Sequence, residues 1–270
     1  MMRWCLVVWG WMSVAAFGQT VTGKVIEAGS DAPVAYTSIG VVGRNIGTVS
    51  GSDGSFSLSL PEGVEGTVRI SALGYVSFEA SVADFLKRGN NTVIQLKPDV
   101  KALREVTVRH FANADEWGNT RLTRKELVDA GFVNNKLGNE LGMVIKARQK
   151  PVKLMKFKAQ VAYNRYHEMR FRLNVYAMKN GLPGESLLAD NIIVTSTIRK
   201  GVLEVDLSDY GIVAEGDFFI SLEWIEDLGE GGLHFYADYS GPKIITRAAA
   251  QGKWNEQDDL SFAFTVSVRY

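Results

Sequence analysis

Apolar side chains recur at every second position of this chain, in short runs punctuated by glycine. Phe56, Leu58 and Leu60 alternate with Ser55, Ser57 and Ser59. Phe171, Leu173, Val175 and Ala177 alternate with Arg170, Arg172 and Asn174, and Phe218, Ile220, Leu222 and Trp224 make a third stripe. Phe262, Phe264, Val266, Val268 and Tyr270 make a fourth. Successive side chains of a strand point to opposite faces, whereas a helix would scatter such residues around its circumference. A period of two repeated this often predicts an all-β protein whose sheets are half buried.

The first residues depart from that pattern. Arg3 precedes an uncharged apolar run from Trp4 to Phe17, and Ala16-Phe17-Gly18 supplies the small-x-small step read by a signal peptidase. Residues 1–18 are expected to be a cleaved signal peptide with Gln19 as the new N-terminus. The alternative is an uncleaved anchor, but the run is short of the roughly 20 residues that a spanning helix needs. Export to the periplasm, the outer membrane or the cell surface is the corresponding expectation. The single cysteine, Cys5, lies inside this segment. The mature chain would then hold no disulfide, no thiol nucleophile and no thiolate metal ligand. Lys plus Arg and Asp plus Glu both number 30, a balance that argues against nucleic acid. At 46% hydrophobic and 22% charged residues the chain is globular, and a soluble protein or one peripheral to a membrane is expected.

Residues 19–109 read as a first module. Val21, Gly23 and Val25 open a strand, followed by a turn at Ala28-Gly29-Ser30-Asp31 and strands over 36–42, 55–60, 67–72, 75–82, 92–96 and 105–108. Val82 to Arg88 suits one short helical turn. Asp53-Gly54 reads as a hairpin turn whose glycine takes positive φ. In order come Val21-Thr22-Gly23-Lys24-Val25, Ala32-Pro33-Val34, Gly47-Thr48-Val49, Asp53-Gly54-Ser55-Phe56 and Leu73-Gly74-Tyr75. This set resembles the carboxypeptidase-regulatory-like domain, a transthyretin-like seven-stranded β-sandwich. The family usually places an acidic residue where Gly51 stands, so the resemblance gives no support for a cation at Asp53. It implies a stabilising or docking module and no peptidase activity, since none of His110, His167 and His234 has a Glu three residues on. Such domains also precede the plug of TonB-dependent receptors, and Leu103 to Val108 resembles the linking strand there. The remaining residues are too few for a plug and a barrel of roughly 22 strands.

Residues 110–135 are expected to be a linker with a short helix, because Thr123 and Glu126 have capping-box spacing for a helix through Ala130. Residues 136–270 then read as a larger antiparallel, jelly-roll-like β-sandwich. Met155, Phe157, Ala159, Val161 and Tyr163 are assigned to its core face, with Lys156, Lys158 and Gln160 opposite. Further strands are expected over 192–198, 202–207, 233–239 and 243–248. A small outer-membrane barrel shares this alternation and the terminal aromatic residue, and stands as an alternative architecture.

Charge is segregated in the second module. Residues 136–172 hold ten Lys or Arg against Glu140 and Glu168, and residues 185–238 hold twelve Asp or Glu against Arg199 and Lys200. Either the two segments are sheet neighbours that neutralise each other, or Lys153, Lys156, Lys158, Arg170 and Arg172 form a basic face for an anionic surface polymer or lipid headgroup. No catalytic motif is legible, and no metal site or cofactor is expected. Acid pairs such as Glu204/Asp206 and Asp206/Asp209 keep a hydrolase open as the rival reading. Tyr163, Phe171, Trp224, Phe262 and Phe264 are expected in the core. Trp117 and Trp254 lie among polar residues in apparent loops and are the candidate ligand-stacking residues. The leading expectation is an exported, non-enzymatic envelope protein that binds a protein or a glycan.

Overall fold

The computed structural model describes residues 18–99, 111–119, 128–132, 136–239, 241–257 and 260–270. The signal segment, the strand expected over 105–108, His110 and the Thr123/Glu126 capping box lie outside the described residues.

The first module contains β1 (Gln19–Glu27), β2 (Ser38–Val41), β3 (Gly47–Val49), β4 (Ser55–Leu60), β5 (Thr67–Ser71), β6 (Phe78–Ser81), α1 (Val82–Lys87) and β7 (Thr92–Leu96). They form two sheets, β4-β1-β7 and β3-β2-β5-β6, which makes the seven-stranded sandwich that the family resemblance implies. Strand alternation explains the core directly. Phe56, Leu58 and Leu60 turn inward against Ile39, Val41, Val68 and Ile70, while the interleaved serines stay exposed. Ser81 caps α1 by accepting a hydrogen bond from the Asp84 amide at 3.0 Å, and Phe85 seals the core end. At the Asp53-Gly54 turn, Gly54 has φ of 79° and Asp53 Oδ1 accepts from the Ser55 amide and hydroxyl at 3.0 and 2.6 Å.

The second module begins earlier than expected. β8 (Ala114–Gly118) and β9 (Val128–Phe132) both lie within 110–135, and both belong to its sheets. Val128 to Ala130, expected to end a helix, is extended because it pairs antiparallel with a later strand. There follow β10 (Glu140–Ile145), β11 (Val152–Asn164), β12 (Met169–Lys179), β13 (Leu182–Ser186), β14 (Ile192–Ser196), β15 (Gly201–Asp206), β16 (Val213–Ala214) and β17 (Phe218–Trp224). The chain ends with β18 (Leu233–Asp238), β19 (Ile244–Arg247), β20 (Asn255–Gln257), β21 (Ser261–Phe262) and β22 (Phe264–Arg269).

One sheet runs β13-β12-β17-β10-β19-β20, with β14 also on β12. The other runs β21-β18-β11-β22-β8, with β15 and β16 on β11 and β9 on β18. These are two separate sheets packed face to face, not one closed cylinder. Between them lie Phe171, Leu173, Val175, Phe218, Ile220, Leu222 and Trp224 from the first and Leu154, Phe157, Val161, Phe235, Phe264 and Val266 from the second.

The first module packs against the outer face of the β12-containing sheet. Val49, Ile225 and Ala250 are buried together, flanked by Tyr36, Leu137 and Ile193. The Gly43 amide donates to the Gln251 carbonyl at 2.9 Å, and Gln251 Nε2 donates to Ser71 at 2.8 Å. Glycine is required where the backbones meet: a Cβ on Gly40 or Gly47 would lie 2.3 or 2.2 Å from the Ala250 carbonyl oxygen.

Candidate functional site

β11 and β12 carry the basic residues of the second module but lie in different sheets. Lys153, Lys156 and Lys158 therefore face one side of the sandwich, and Arg170 and Arg172 the other. These five residues form no single basic face, because the connection between the two strands crosses from sheet to sheet.

On the outer face of the β11-containing sheet, basic and acidic strands neutralise each other. Lys156 stands opposite Asp206 and Lys158 opposite Glu204. Lys156 Nζ pairs with Glu204 at 3.0 Å, and Lys158 Nζ reaches Glu116 on β8 at 3.3 Å. Thr265 Oγ1 donates to Glu116 at 2.5 Å, and this hydrogen bond is the main reason that the Glu116 carboxyl sits below its ordinary pKa. Two open depressions of about 370 and 350 Å³ share Lys158 and Glu204, and Gln160, Val202 and Thr265 line the second.

An aromatic strip adjoins the second depression. Gln160 donates its amide to the Ala263 carbonyl at 3.1 Å, and Ala263 donates to the Tyr236 carbonyl at 2.8 Å, so these residues cross the sheet in one line. Tyr236 and His234 share the outer face of β18, since Leu233, Phe235 and Ala237 fill the core. Tyr163 is the register partner of His234, and their rings stack at 4.5 Å. Asp129 on β9 meets His234 Nδ1 at 2.6 Å and orients the imidazole. Tyr163 was expected in the core. Irregularities between Leu154 and Lys156, and between Val161 and Tyr163, shift β11 by one residue each time. Each shift exchanges faces, so Leu154 replaces Met155 in the core and Tyr163 turns outward.

The opposite sheet holds a buried ionic row. Arg172, Glu223, Glu140 and Arg247 stand in register on β12, β17, β10 and β19. Arg172 Nη2 donates to Glu223 at 2.7 Å, and Asn174 Nδ2 donates to Glu140 and Glu223 at 3.0 and 2.9 Å. Ser221 donates to Glu140 at 2.5 Å. The Glu140–Arg247 ion pair is close but poorly aligned, since Glu140 Oε2 has no hydrogen-bond partner. Burial raises the Glu140 pKa, and repulsion by Glu223 adds to it against the pull of Arg247. Burial acts on Glu223 as well, but Arg172 and Arg247 outweigh it and the pKa is lowered. Arg172 continues into the first module, donating to the Tyr36 carbonyl at 2.6 Å and to Ser38 at 2.7 Å. The seven-stranded sandwich thus sits over this row. Residues 21–108 match the CarboxypepD_reg-like domain family.

The CarboxypepD_reg-like match leaves the second module unassigned. No curated protein matches the chain. Among solved structures, the cysteine protease and lectin-like domains of Cwp84, a surface-layer-associated protein of Clostridium difficile, align at 8% identity and a TM-score of 0.40. That alignment covers 83% of this chain but 46% of Cwp84, so the chain spans less than half of that relative's length. A putative carbohydrate binding protein from Bacteroides uniformis aligns at 13% identity over 84% of this chain and 97% of its own, with a TM-score of 0.22. Scores this low do not establish a shared fold.

Of the two tryptophans, Trp117 departs from its expected setting, and Trp254 lies in a loop as expected. Trp117 is buried, stacked on Tyr270 at 6.0 Å with Nε1 bonded to Asp115 at 2.8 Å, because β8 is a sheet strand and not a loop. Trp254 is half-buried against Phe219 and Tyr176, under the Arg247 guanidinium at 4.5 Å, on the same face as the CarboxypepD_reg-like module. His167 and Glu168 are exposed in the connection between β11 and β12. Among the described residues no cluster of His, Cys, Asp or Glu could hold a metal ion.

Proposed function

We propose that this chain is an exported, non-enzymatic binding protein of a Gram-negative cell envelope. The CarboxypepD_reg-like module braces one sheet of the sandwich, and the other sheet presents its outer face to a glycan. The observation that carries this reading is the juxtaposition, on one open sheet face, of the Tyr163–His234–Tyr236 strip with Gln160, Lys158, Glu116, Glu204 and Thr265. A sugar ring offers a C–H face that packs on aromatic rings and a hydroxyl edge that needs donors and acceptors together. A protein partner would more often take a larger apolar patch.

A hydrolase finds little support in the acids. Glu140 and Glu223 are adjacent but buried beneath arginines and the first module, and Glu204 is held by a lysine. The charged and apolar pattern of residues 1–18 supports export, and N-terminal sequencing of the secreted form should find Gln19 first. The binding reading is tested by screening the mature protein on a glycan array and measuring the hits by calorimetry with the Tyr163→Ala variant. An unchanged melting temperature with at least tenfold weaker binding supports the reading. Undiminished binding by that variant sinks it.

A further inference from the structure

The glycan reading leaves open which saccharides fit, and the cations at one end of the aromatic strip bear on that. Three basic side chains converge where β11 ends. Arg165 places its guanidinium 5.3 Å from the centre of the Tyr163 ring, and Lys200 places its ammonium 5.8 Å from that of Tyr236. Arg199 donates to the carbonyls of Asn164 and Tyr166 at 3.2 and 2.6 Å, which fixes its position beside Lys200. The backbone holds the three together: the Asn164 amide bonds the Arg199 carbonyl and the Arg165 amide bonds the Gly232 carbonyl, both at 2.9 Å.

These cations differ from Lys156 and Lys158 on the same face. Lys156 and Lys158 each have a carboxylate partner, so their charge is spent inside the protein. Among the described residues no carboxylate pairs with Arg165, Arg199 or Lys200, and all three are exposed. Asp129, which borders the strip, is engaged with His234. A cation over an aromatic face leaves its outward N–H groups free to donate, and guanidinium in particular suits a carboxylate or sulfate.

Resting on the glycan reading, we propose that the strip selects anionic polysaccharide. Sugar rings pack on His234 and Tyr236 and along the edge of Tyr163, whose faces are taken by His234 and Arg165, and a carboxylate or sulfate of the chain meets Arg165 and Lys200, with Arg199 at the margin.

The test is calorimetry of the mature protein with polygalacturonate, with its methyl-esterified form, with chondroitin sulfate and with polyglutamate. Polygalacturonate or chondroitin sulfate should bind at least tenfold more tightly than the neutral ester. The double variant Arg165→Gln/Lys200→Gln should lose most of that preference without a change in melting temperature. Raised salt should weaken the wild type more than the variant. Equal binding of the esterified and free polymers, unaffected by the double variant, overturns the charge selection and leaves the glycan reading standing. Equal binding of polyglutamate, insensitive to Tyr163→Ala, means a general polyanion surface and overturns both. If none of these polymers binds, the anionic proposal fails, while the glycan array still judges the broader reading.

Discussion

Two carboxylates stand side by side on a dry sheet face, and burial, with repulsion by Glu223 added to it, weighs on Glu140. Its pKa is raised in the folded protein, so the stability that it contributes is present below the ordinary carboxylate range and is lost as pH rises through the raised value. Glu223 acts in the opposite sense, its lowered value contributing stability that is lost at acid pH. Replacing Glu140→Gln removes the first effect and, with it, the repulsion on Glu223. The melting temperature of the variant, measured against wild type from about pH 4 to about pH 8, should therefore improve relative to wild type as pH rises; a constant difference would show that Glu140 is ionised throughout. Trp117→Ala should cost about 3–5 kcal/mol in a denaturant melt, as large buried aromatic truncations do, and leave glycan binding by the folded fraction unchanged. Neither position reveals this role by its neighbours. Asp115 and Glu116 around Trp117 suggest a wet loop, but the Asp115 side chain bonds the indole and Glu116 faces the other side of a strand.

Elements with clean alternation were legible in the sequence, β4, β12, β17 and β22 among them, as were α1 and the Asp53-Gly54 turn. β11 was not, since an irregularity costs one residue of register and leaves no mark in the hydrophobic pattern: Met155 and Leu154, or Ala162 and Tyr163, are equally acceptable inward. What decides is the partner strand, because Val161 must meet Phe235 and Phe157 must meet Val266. That single strand hid the candidate site, as Tyr163 reaches the surface only through the second shift. The charge segregation, in contrast, maps onto real pairing between β11 and β15. Reversing Lys156→Glu and Lys158→Glu together should lower stability by about 0.2–1 kcal/mol for each lost pair, and by less in high salt. Thermal melts at two ionic strengths check this, and a salt-independent loss would point to packing and not to charge.

At the scale of the whole molecule, the two sandwiches share a dry junction, and this was not readable beforehand. Gly40 and Gly47 are far from Arg172 and Ala250 in the chain, and only the folded arrangement brings them together. The junction should couple the modules. A Gly47→Val variant should melt in two transitions where wild type melts in one, because its side chain would collide with the Ala250 backbone. A single unchanged transition in calorimetry would mean that the modules are joined by the linker alone. A protein starting at Asn113 should fold, since its core is separate, but melt below the full chain.

The position of β22 has a further consequence for the order of assembly. It lies between β11 and β8, and the Asn113 and Tyr270 backbones exchange two hydrogen bonds of 3.0 and 3.1 Å across that seam. Among the described residues, the first strand of the second sandwich to leave the ribosome thus has no hydrogen-bonded partner strand until the final strand of the module is made. During synthesis the face that carries Tyr163 and His234 stays unfinished on one flank, and it becomes a surface only when translation of the module is complete.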